Sequence, residues 1–142
     1  WLTAKGEPVD WSSHALGDRL FVRVDVTNTS KRRVSNVAVV DRLPAGWEIE
    51  NPRLGSDLRP DWARSIRTWG AEHMNVRDDR IELFGTISGQ RTITVLYSVR
   101  AVTAGTFQLP DVTAEAMYDP DVWARQPGKE VSILGPWSAF FL

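Results

Sequence analysis

The side chains that most often carry catalysis are scarce in this sequence. Its two histidines, His14 and His73, lie in different parts of the chain, and neither has a second ligand at a metal-binding spacing. There is no cysteine, which excludes a disulfide framework, a thiolate metal site, a cysteine nucleophile and an internal thioester in these residues. Nucleophile-elbow, phosphate-loop and dinucleotide-binding patterns are also missing. We expect a protein that is not an enzyme, with no catalytic residue, no metal and no cofactor.

Carboxylates lie close together at two places, Asp78-Asp79 and Asp119-Pro120-Asp121. Oxygen ligands clustered in a loop suit calcium, but that ion needs about six to eight oxygens and each cluster supplies two carboxylates. Aspartate is also a common turn residue, because its side chain bonds the nearby backbone and it tolerates positive φ. We interpret both clusters as turns.

Tryptophan is the one residue type in clear excess, with seven in 142 residues. An exposed indole on a β-sandwich can stack against a sugar ring, and Trp62 and Trp69 lie in an irregular segment where such a platform would form. Tryptophan also fills cores and buries a large apolar area. Ligand stacking by Trp62 and Trp69 therefore stands as an alternative to packing.

The elements that must position these residues are strands. Apolar residues alternate with polar ones from Asp18 to Thr29, and again from Arg91 to Thr103. Two more strands are predicted at 72–77 and 80–87, and Asp78-Asp79 joins them as a tight hairpin turn. Further strands are predicted at 34–41, 47–50, 106–109, 112–117 and 130–134. Short strands at this spacing predict an all-β, antiparallel, immunoglobulin-like or macroglobulin-like sandwich of about 7–9 strands.

The connecting segments are marked by proline and glycine. Ser56 could cap a short helix of about one to three turns that carries Leu58, Trp62 and Ile66 on one face. Residues 119–129 contain two prolines and a glycine and are predicted as an exposed loop. We expect one domain over 1–142, with 1–16 as lead-in and first strand and the apolar 135–142 as a tail.

Charge and hydropathy exclude two classes of partner. Lys and Arg total 17 against 18 Asp and Glu, and the one basic cluster, Lys31-Arg32-Arg33, is too short to hold a phosphate backbone. We expect no nucleic acid partner. The longest apolar run is well below the roughly 18 residues of a spanning helix, so we expect no direct membrane span. Because the chain opens on Trp1 without a signal sequence, we expect a domain of a longer protein.

Several motifs together resemble one known family. The stretches 17–29 and 36–47, with Val26-Thr27-Asn28-Thr29 and Leu43-Pro44-Ala45-Gly46-Trp47, are similar to immunoglobulin-like repeats of bacterial surfaces. The second half is more specific. It resembles the last macroglobulin-like domain, MG10, of bacterial α2-macroglobulins through Glu72–Ile81, Tyr97–Pro110 and Glu115–Pro120.

That resemblance implies a C-terminal structural and interaction module of a large periplasmic protein that traps proteases and is associated with the inner membrane. Its implied partners are other domains of the parent chain, target proteases through the parent, and other envelope proteins. Some members of the family carry a thioester in a separate domain, and the Met-Tyr loop of the last sandwich shields it from water.

The residues that match this loop are Met117 and Tyr118, followed by Asp119 and Pro120. An aromatic ring with a hydroxyl suits a partly wet seal, since a thioester survives only where water is excluded. Two alternatives remain open. The Met-Tyr pair could close its strand against the domain's own core, or the domain could be a carbohydrate-binding or cell-surface adhesion module that uses Trp62 and Trp69.

Overall fold

The computed structural model describes residues 1–9, 14–54 and 58–135. These residues form antiparallel strands, as the alternating pattern predicted, joined by turns and by one long connection between Asn51 and His73. The ten strands are β1 (Arg19–Thr27), β2 (Val34–Arg42), β3 (Trp47–Asn51), β4 (His73–Val76), β5 (Arg80–Ile87), β6 (Thr92–Ala101), β7 (Gly105–Leu109), β8 (Val112–Ala116), β9 (Asp119–Gln126) and β10 (Lys129–Ile133).

The strands divide into three sheets. One has the order β1-β6-β3, one has the order β4-β5-β2-β8-β9, and β10 pairs with β7. The main core cluster draws Leu20 and Tyr97 from the first sheet, Ile81 and Leu83 from the second and Ile133 from the third. Apolar faces of different sheets therefore pack on one another, which gives the predicted all-β sandwich.

A second apolar cluster covers the outer face of the first sheet. Phe21 and Leu96 pack there with Leu54 and Ala63, and Trp62 lies against them. The alternation along β1 and β6 predicts that this face is exposed to solvent, but Leu54 and Ala63, from the connection between β3 and β4, pack over it. Because the main core covers the other face of β6, every residue from Thr94 to Val99 is buried.

The motif Leu43-Pro44-Ala45-Gly46-Trp47 turns the chain between β2 and β3. Gly46 has a φ of 97°, in the region that favours glycine. Its carbonyl oxygen accepts hydrogen bonds from the backbone N–H groups of Val102, at 2.7 Å, and Thr103, at 3.2 Å. A Cβ on Gly46 would lie 2.5 Å from the Phe107 ring. The turn therefore requires glycine both for its backbone conformation and for space.

The short helix predicted in the connecting segment is confirmed as one 3-10 turn, Asp61–Ala63, while its proposed cap Ser56 lies outside the described residues. Arg59 donates to backbone carbonyls on both sides of this turn. Its Nε donates to the Leu54 carbonyl at 2.8 Å, and one terminal nitrogen donates to Ile66 at 2.5 Å and Ala63 at 3.4 Å. Ala63 also accepts a 3.2 Å bond from the Ile66 N–H, so the Arg59 side chain adds to the backbone bonding of the turn.

The exposed loop predicted over 119–129 is wrong for most of its length. Residues Asp119–Gln126 form β9, which pairs with β8 at the edge of the five-stranded sheet. The register shifts between Glu115 and Ala116, so Pro120 lies opposite an irregularity where its missing N–H interrupts no ladder bond. An edge strand with a bulge tolerates proline, and this extra strand raises the count above the expected 7–9.

The ends of the chain are described in part. Leu2 exchanges two backbone hydrogen bonds with Phe21, of 2.7 and 2.8 Å, so the lead-in adds to the edge of β1. The predicted tail 135–142 lies outside the described residues except for Gly135. Within the described part of the chain, no helix has the length and apolar character needed to cross a bilayer.

Candidate functional site

The hairpin that joins β8 to β9 presents the pair Met117 and Tyr118 at its tip. β8 is held on both sides, since it pairs with β2 on one edge and with β9 on the other. The backbone N–H of Met117 donates a 2.9 Å hydrogen bond to the carbonyl oxygen of Asn36. The tip is therefore attached directly to the neighbouring strand.

Asn36 reaches this position through an irregularity in β2. The register between β2 and β5 shifts between Val34 and Val37, and Asn36 within that interval has a φ of 55°. Asparagine adopts this left-handed conformation more readily than most residues because its short polar side chain can bond locally. Nothing in the periodicity marked Asn36 as a support for the hairpin, because a bulge does not disturb the alternation enough to be seen.

Both side chains at the tip are exposed. Tyr118 retains 83% of its accessible surface and Met117 retains 46%. The other tyrosine, Tyr97, is completely buried. Met117 and Tyr118 do not close the hairpin against the domain's own core, so that alternative is wrong. A large aromatic side chain that contributes little to its own core is available to contact another surface.

The two residues that follow the tip shape the start of β9. The Asp119 side chain accepts a 3.2 Å hydrogen bond from the backbone N–H of Asp121 through Oδ1. This is the local turn role that the sequence predicted for the aspartates here. Pro120 adds a fixed φ at the same place. Asp119 and Pro120 therefore define how the strand leaves the tip.

The basic cluster of the β1–β2 connection lies beside the tip. Arg32 and Arg33 share a depression of about 170 Å³ with Tyr118 and Asp119. The connection is ordered by Asn28, whose side-chain nitrogen donates to the Arg32 carbonyl at 2.8 Å and whose oxygen accepts from Ser30 Oγ at 2.7 Å. The tip is thus bordered by two arginines on a connection whose backbone is held by Asn28.

Trp123 is a second exposed aromatic residue on the same hairpin. It lies in β9 opposite Glu115 and retains 69% of its accessible surface. It borders a groove of about 260 Å³ between the ends of β1, β5 and β8. Sequence reasoning missed Trp123 because it predicted a loop over 119–129. Only the strand pairing shows that Trp123 lies beside the groove.

Strand β2, which supports the hairpin, is fastened to the opposite sheet through Asp41. Tyr97 on β6 donates its hydroxyl to Asp41 Oδ2 at 2.5 Å, and both side chains are buried. Burial raises the pKa of Asp41 to about 6, although the bond from Tyr97 acts in the opposite direction. Burial and the Asp41 carboxylate together raise the pKa of Tyr97 well above its ordinary value.

Trp62 and Trp69 pack against different apolar clusters. Trp62 packs edge-on against Phe21 with ring centroids 5.5 Å apart, and its Nε1 donates to the Ala4 carbonyl at 2.9 Å. Trp69 donates its Nε1 to the Thr86 carbonyl at 3.1 Å. Trp62 packs against the outer cluster and Trp69 against the main core. Each indole is thus fixed by contacts within the domain.

The chemistry of the hairpin tip is that of a contact surface. No group of three or more His, Cys, Asp or Glu side chains able to hold a metal occurs in the described ranges. The tip offers a thioether, a phenol and neighbouring guanidinium groups, which suit packing, water exclusion and charge pairing.

Comparison with known proteins links the chain to one family through a family model and several relatives. The family model described as the bacterial alpha-2-macroglobulin MG10 domain matches residues 1–121. An alpha-2-macroglobulin of Xylella fastidiosa is 40% identical over 130 residues, which cover 84% of this chain and 8% of the relative. The chain therefore spans a small fraction of that protein.

Solved structures of larger chains contain a similar domain. Escherichia coli alpha-2-macroglobulin activated by porcine elastase matches with a TM-score of 0.81 and 30% identity, over 95% of this chain and 12% of that one. Salmonella alpha-2-macroglobulin reacted with methylamine matches at 0.75 and 30%, and a tyrosine-to-glycine mutant of it at 0.76 and 31%; both cover 93% of this chain and 9% of the other. On the strength of the family match and these identities, the chain belongs to the bacterial alpha-2-macroglobulin family, as a macroglobulin-like domain.

Proposed function

We propose that this domain is the C-terminal structural and interaction module of a protease-trapping inhibitor, and that it covers a thioester in a neighbouring domain until the inhibitor is activated. It has no catalytic step of its own in this account. Met117 and Tyr118 make the covering contact, and Asp119 and Pro120 set its direction. The parent protein is periplasmic and associated with the inner membrane, and it meets target proteases and other envelope proteins through its other domains.

One observation supports this proposal above the others, the exposure of 83% of the Tyr118 side chain on a hairpin whose backbone is fixed. A rigid tip can press an aromatic ring against a partner without a large loss of conformational entropy. The ring excludes water from the contact while the hydroxyl remains hydrogen-bonded at its rim. That is the environment in which a thioester resists hydrolysis and amines.

The relatives are consistent with this role. Salmonella alpha-2-macroglobulin has been solved after reaction with methylamine, a small nucleophile, and the Escherichia coli protein after activation by a protease. In our proposal, protease activation moves the neighbouring domain away from Tyr118, so that the bond is uncovered by a rigid-body separation.

Nitration of tyrosine tests whether the tip is covered in the parent. This chain has two tyrosines, and Tyr97 is buried while Tyr118 is exposed. We expect tetranitromethane to modify Tyr118 rapidly in the isolated chain. In the intact parent, peptide mapping should show Tyr118 nitrated at least about tenfold more slowly, and protease activation should restore the fast rate. Equal rates in the isolated chain and in the intact parent would exclude the covering contact.

A further inference from the structure

A cleft that shares no lining residue with the depression at the hairpin tip is lined by positive charge. It has a volume of about 460 Å³, and its walls include Arg53, Arg59, Thr68, Trp69 and Met74. Volumes of this size are typical of small-ligand pockets. Among the described residues, both charged side chains that line it are arginines and none is acidic. The cleft is therefore cationic within an otherwise nearly neutral chain.

Arg53 is an exposed residue, and most of its N–H groups are open to solvent at the cleft. Its Nε donates to the Met74 sulfur at 3.4 Å, a weak acceptor. The two terminal nitrogens carry four N–H groups with no acceptor in the described part of the chain, and no carboxylate there lies within ion-pair distance of Arg53. A guanidinium in this state is a ready partner for an anion, since two parallel N–H groups match a carboxylate.

Arg59 adds charge that its own contacts do not neutralise. Its four hydrogen bonds run to the carbonyls of Leu54, Ala63 and Ile66 and to the Thr68 hydroxyl, all of them uncharged groups. Because Thr68 Oγ1 accepts at 3.2 Å, its own hydrogen is left to be donated. The loop thus holds a positive charge and a hydroxyl donor at one end of the cleft.

The rest of the lining is apolar or already satisfied. Leu83, Leu96 and the half-buried indole of Trp69 supply apolar wall. Thr94 donates to Asp25 at 2.7 Å, and Asp25 is in turn paired with Arg23 at 3.2 Å. The combination of guanidinium donors with an apolar, partly aromatic wall matches a ligand that has an anionic head and an apolar body.

We propose that this cleft binds an organic carboxylate whose apolar body is about the size of one aromatic ring. The carboxylate pairs with Arg53 in the field of Arg59, and the body lies along Trp69. The same chemistry is available from a free small acid and from the C-terminal carboxylate of a peptide. This site is independent of the hairpin tip and of the covering function proposed above.

NMR titration of the isotopically labelled chain tests the site, with the Trp69 indole N–H as reporter, assigned by its loss in Trp69→Phe. We expect phenylacetate to shift this resonance saturably and the neutral phenylacetamide to bind at least about tenfold more weakly, since charged hydrogen bonds are the stronger ones. A dipeptide ending in Phe, with its carboxylate free or amidated, distinguishes the sources. Tighter binding of the free-acid dipeptide than of phenylacetate assigns the site to a peptide terminus, and the reverse assigns it to a free acid.

Matched variants give the decisive comparison. Arg53→Gln should weaken phenylacetate binding at least about tenfold, whereas Arg67→Gln, an exposed arginine of the same segment that does not line the cleft, should leave it unchanged. No saturable shift with any carboxylate, or equal binding by Arg53→Gln and by the unaltered chain, would overturn the proposal. Asp57 lies outside the described residues. If Asp57→Asn creates binding that the unaltered chain lacks, Asp57 is the occupant and the proposal is wrong.

Discussion

The backbone N–H of Met117 donates a 2.9 Å hydrogen bond to the carbonyl oxygen of Asn36. Met117 lies at the exposed tip of the β8–β9 hairpin, and Asn36 lies in the irregularity of β2 with a φ of 55°. This bond connects a strand defect to the presentation of Tyr118, the next residue along the chain. The aromatic group proposed to contact a neighbouring domain is therefore held by a backbone feature of a different strand.

Substitutions of Asn36 should separate backbone conformation from side-chain chemistry. Glycine adopts positive φ without strain, so Asn36→Gly should change the free energy of unfolding by less than about 0.5 kcal/mol. Valine is β-branched and strained there, so Asn36→Val should cost about 1–2 kcal/mol. Denaturant unfolding measures both. Hydrogen exchange at the Met117 amide should accelerate in Asn36→Val, and equal exchange in the two variants would contradict the role of the bulge.

The Asp41–Tyr97 contact predicts a pH dependence of stability. Because the pKa of Asp41 is raised from 3.8 to about 6 in the folded state, its contribution is fully present below pH 3.8 and is lost as the pH rises through about 6. Relative to Asp41→Asn, the unaltered chain should lose up to about 3 kcal/mol of stability between pH 4 and pH 7. Parallel pH profiles of the two proteins would contradict this assignment.

Tyr97→Phe provides the control for the same contact. The Tyr97 hydroxyl donates to the charged carboxylate and so lowers the pKa of Asp41 against the effect of burial. Its removal should raise that pKa further and move the loss of stability to higher pH. NMR titration of the Asp41 carboxyl carbon measures the shift directly, and a lowered pKa in Tyr97→Phe would contradict the assigned direction.

Trp62 and Tyr118 should differ sharply when each is replaced by alanine. Trp62 packs against Phe21 and donates to the Ala4 carbonyl, so Trp62→Ala should destabilise the domain by at least about 2 kcal/mol. Tyr118 is 83% exposed, so Tyr118→Ala should change stability by less than about 0.5 kcal/mol. Thermal unfolding compares them. A large loss of stability in Tyr118→Ala would show that the residue serves its own fold.

Arg59 should be irreplaceable by lysine. Its guanidinium makes four hydrogen bonds within the segment that covers Phe21, and an ammonium group cannot reproduce their fork geometry. Arg59→Lys should therefore cost about 1–3 kcal/mol, measured by denaturant unfolding. Arg67→Lys, at an exposed position in the same segment, is the control and should be neutral. Equal effects of the two substitutions would exclude a structural role for Arg59.

The local sequence pattern was sufficient to predict strands that have one face towards solvent. Strand β5 alternates buried and half-buried residues along its whole length, and the turn at Asp78-Asp79 is closed by a 2.9 Å bond from Arg77 N–H to the Arg80 carbonyl. The pattern did not predict burial where residues distant in sequence cover a strand face. Phe21 and Leu96 are buried because Leu54 and Ala63 pack over them, and no periodicity within β1 or β6 contains that information.

The candidate site was accessible from sequence only through its motif. Met117 and Tyr118 were found by their resemblance to a family loop, whereas their support by Asn36 requires strand pairing to be known. The sequence did not predict β9 for the same reason, since its pairing partner was not known. Pro120 and Gly128 are ordinary loop signals, yet edge pairing with a bulge accommodates the proline. The arginine cleft likewise joins Arg53 to Thr94 and Leu96, which lie some forty residues further along the chain.

The central claim is that Tyr118 shields a thioester elsewhere in the parent protein. The most direct test is the rate at which methylamine inactivates the full-length parent, measured for the unaltered protein and for Tyr118→Ala. Trp123→Ala, which removes the other exposed aromatic residue of the hairpin, is the matched control. The account predicts inactivation at least about tenfold faster in Tyr118→Ala, which corresponds to at least about 1.4 kcal/mol of lost protection, and little change in Trp123→Ala. An unchanged rate in Tyr118→Ala would contradict it.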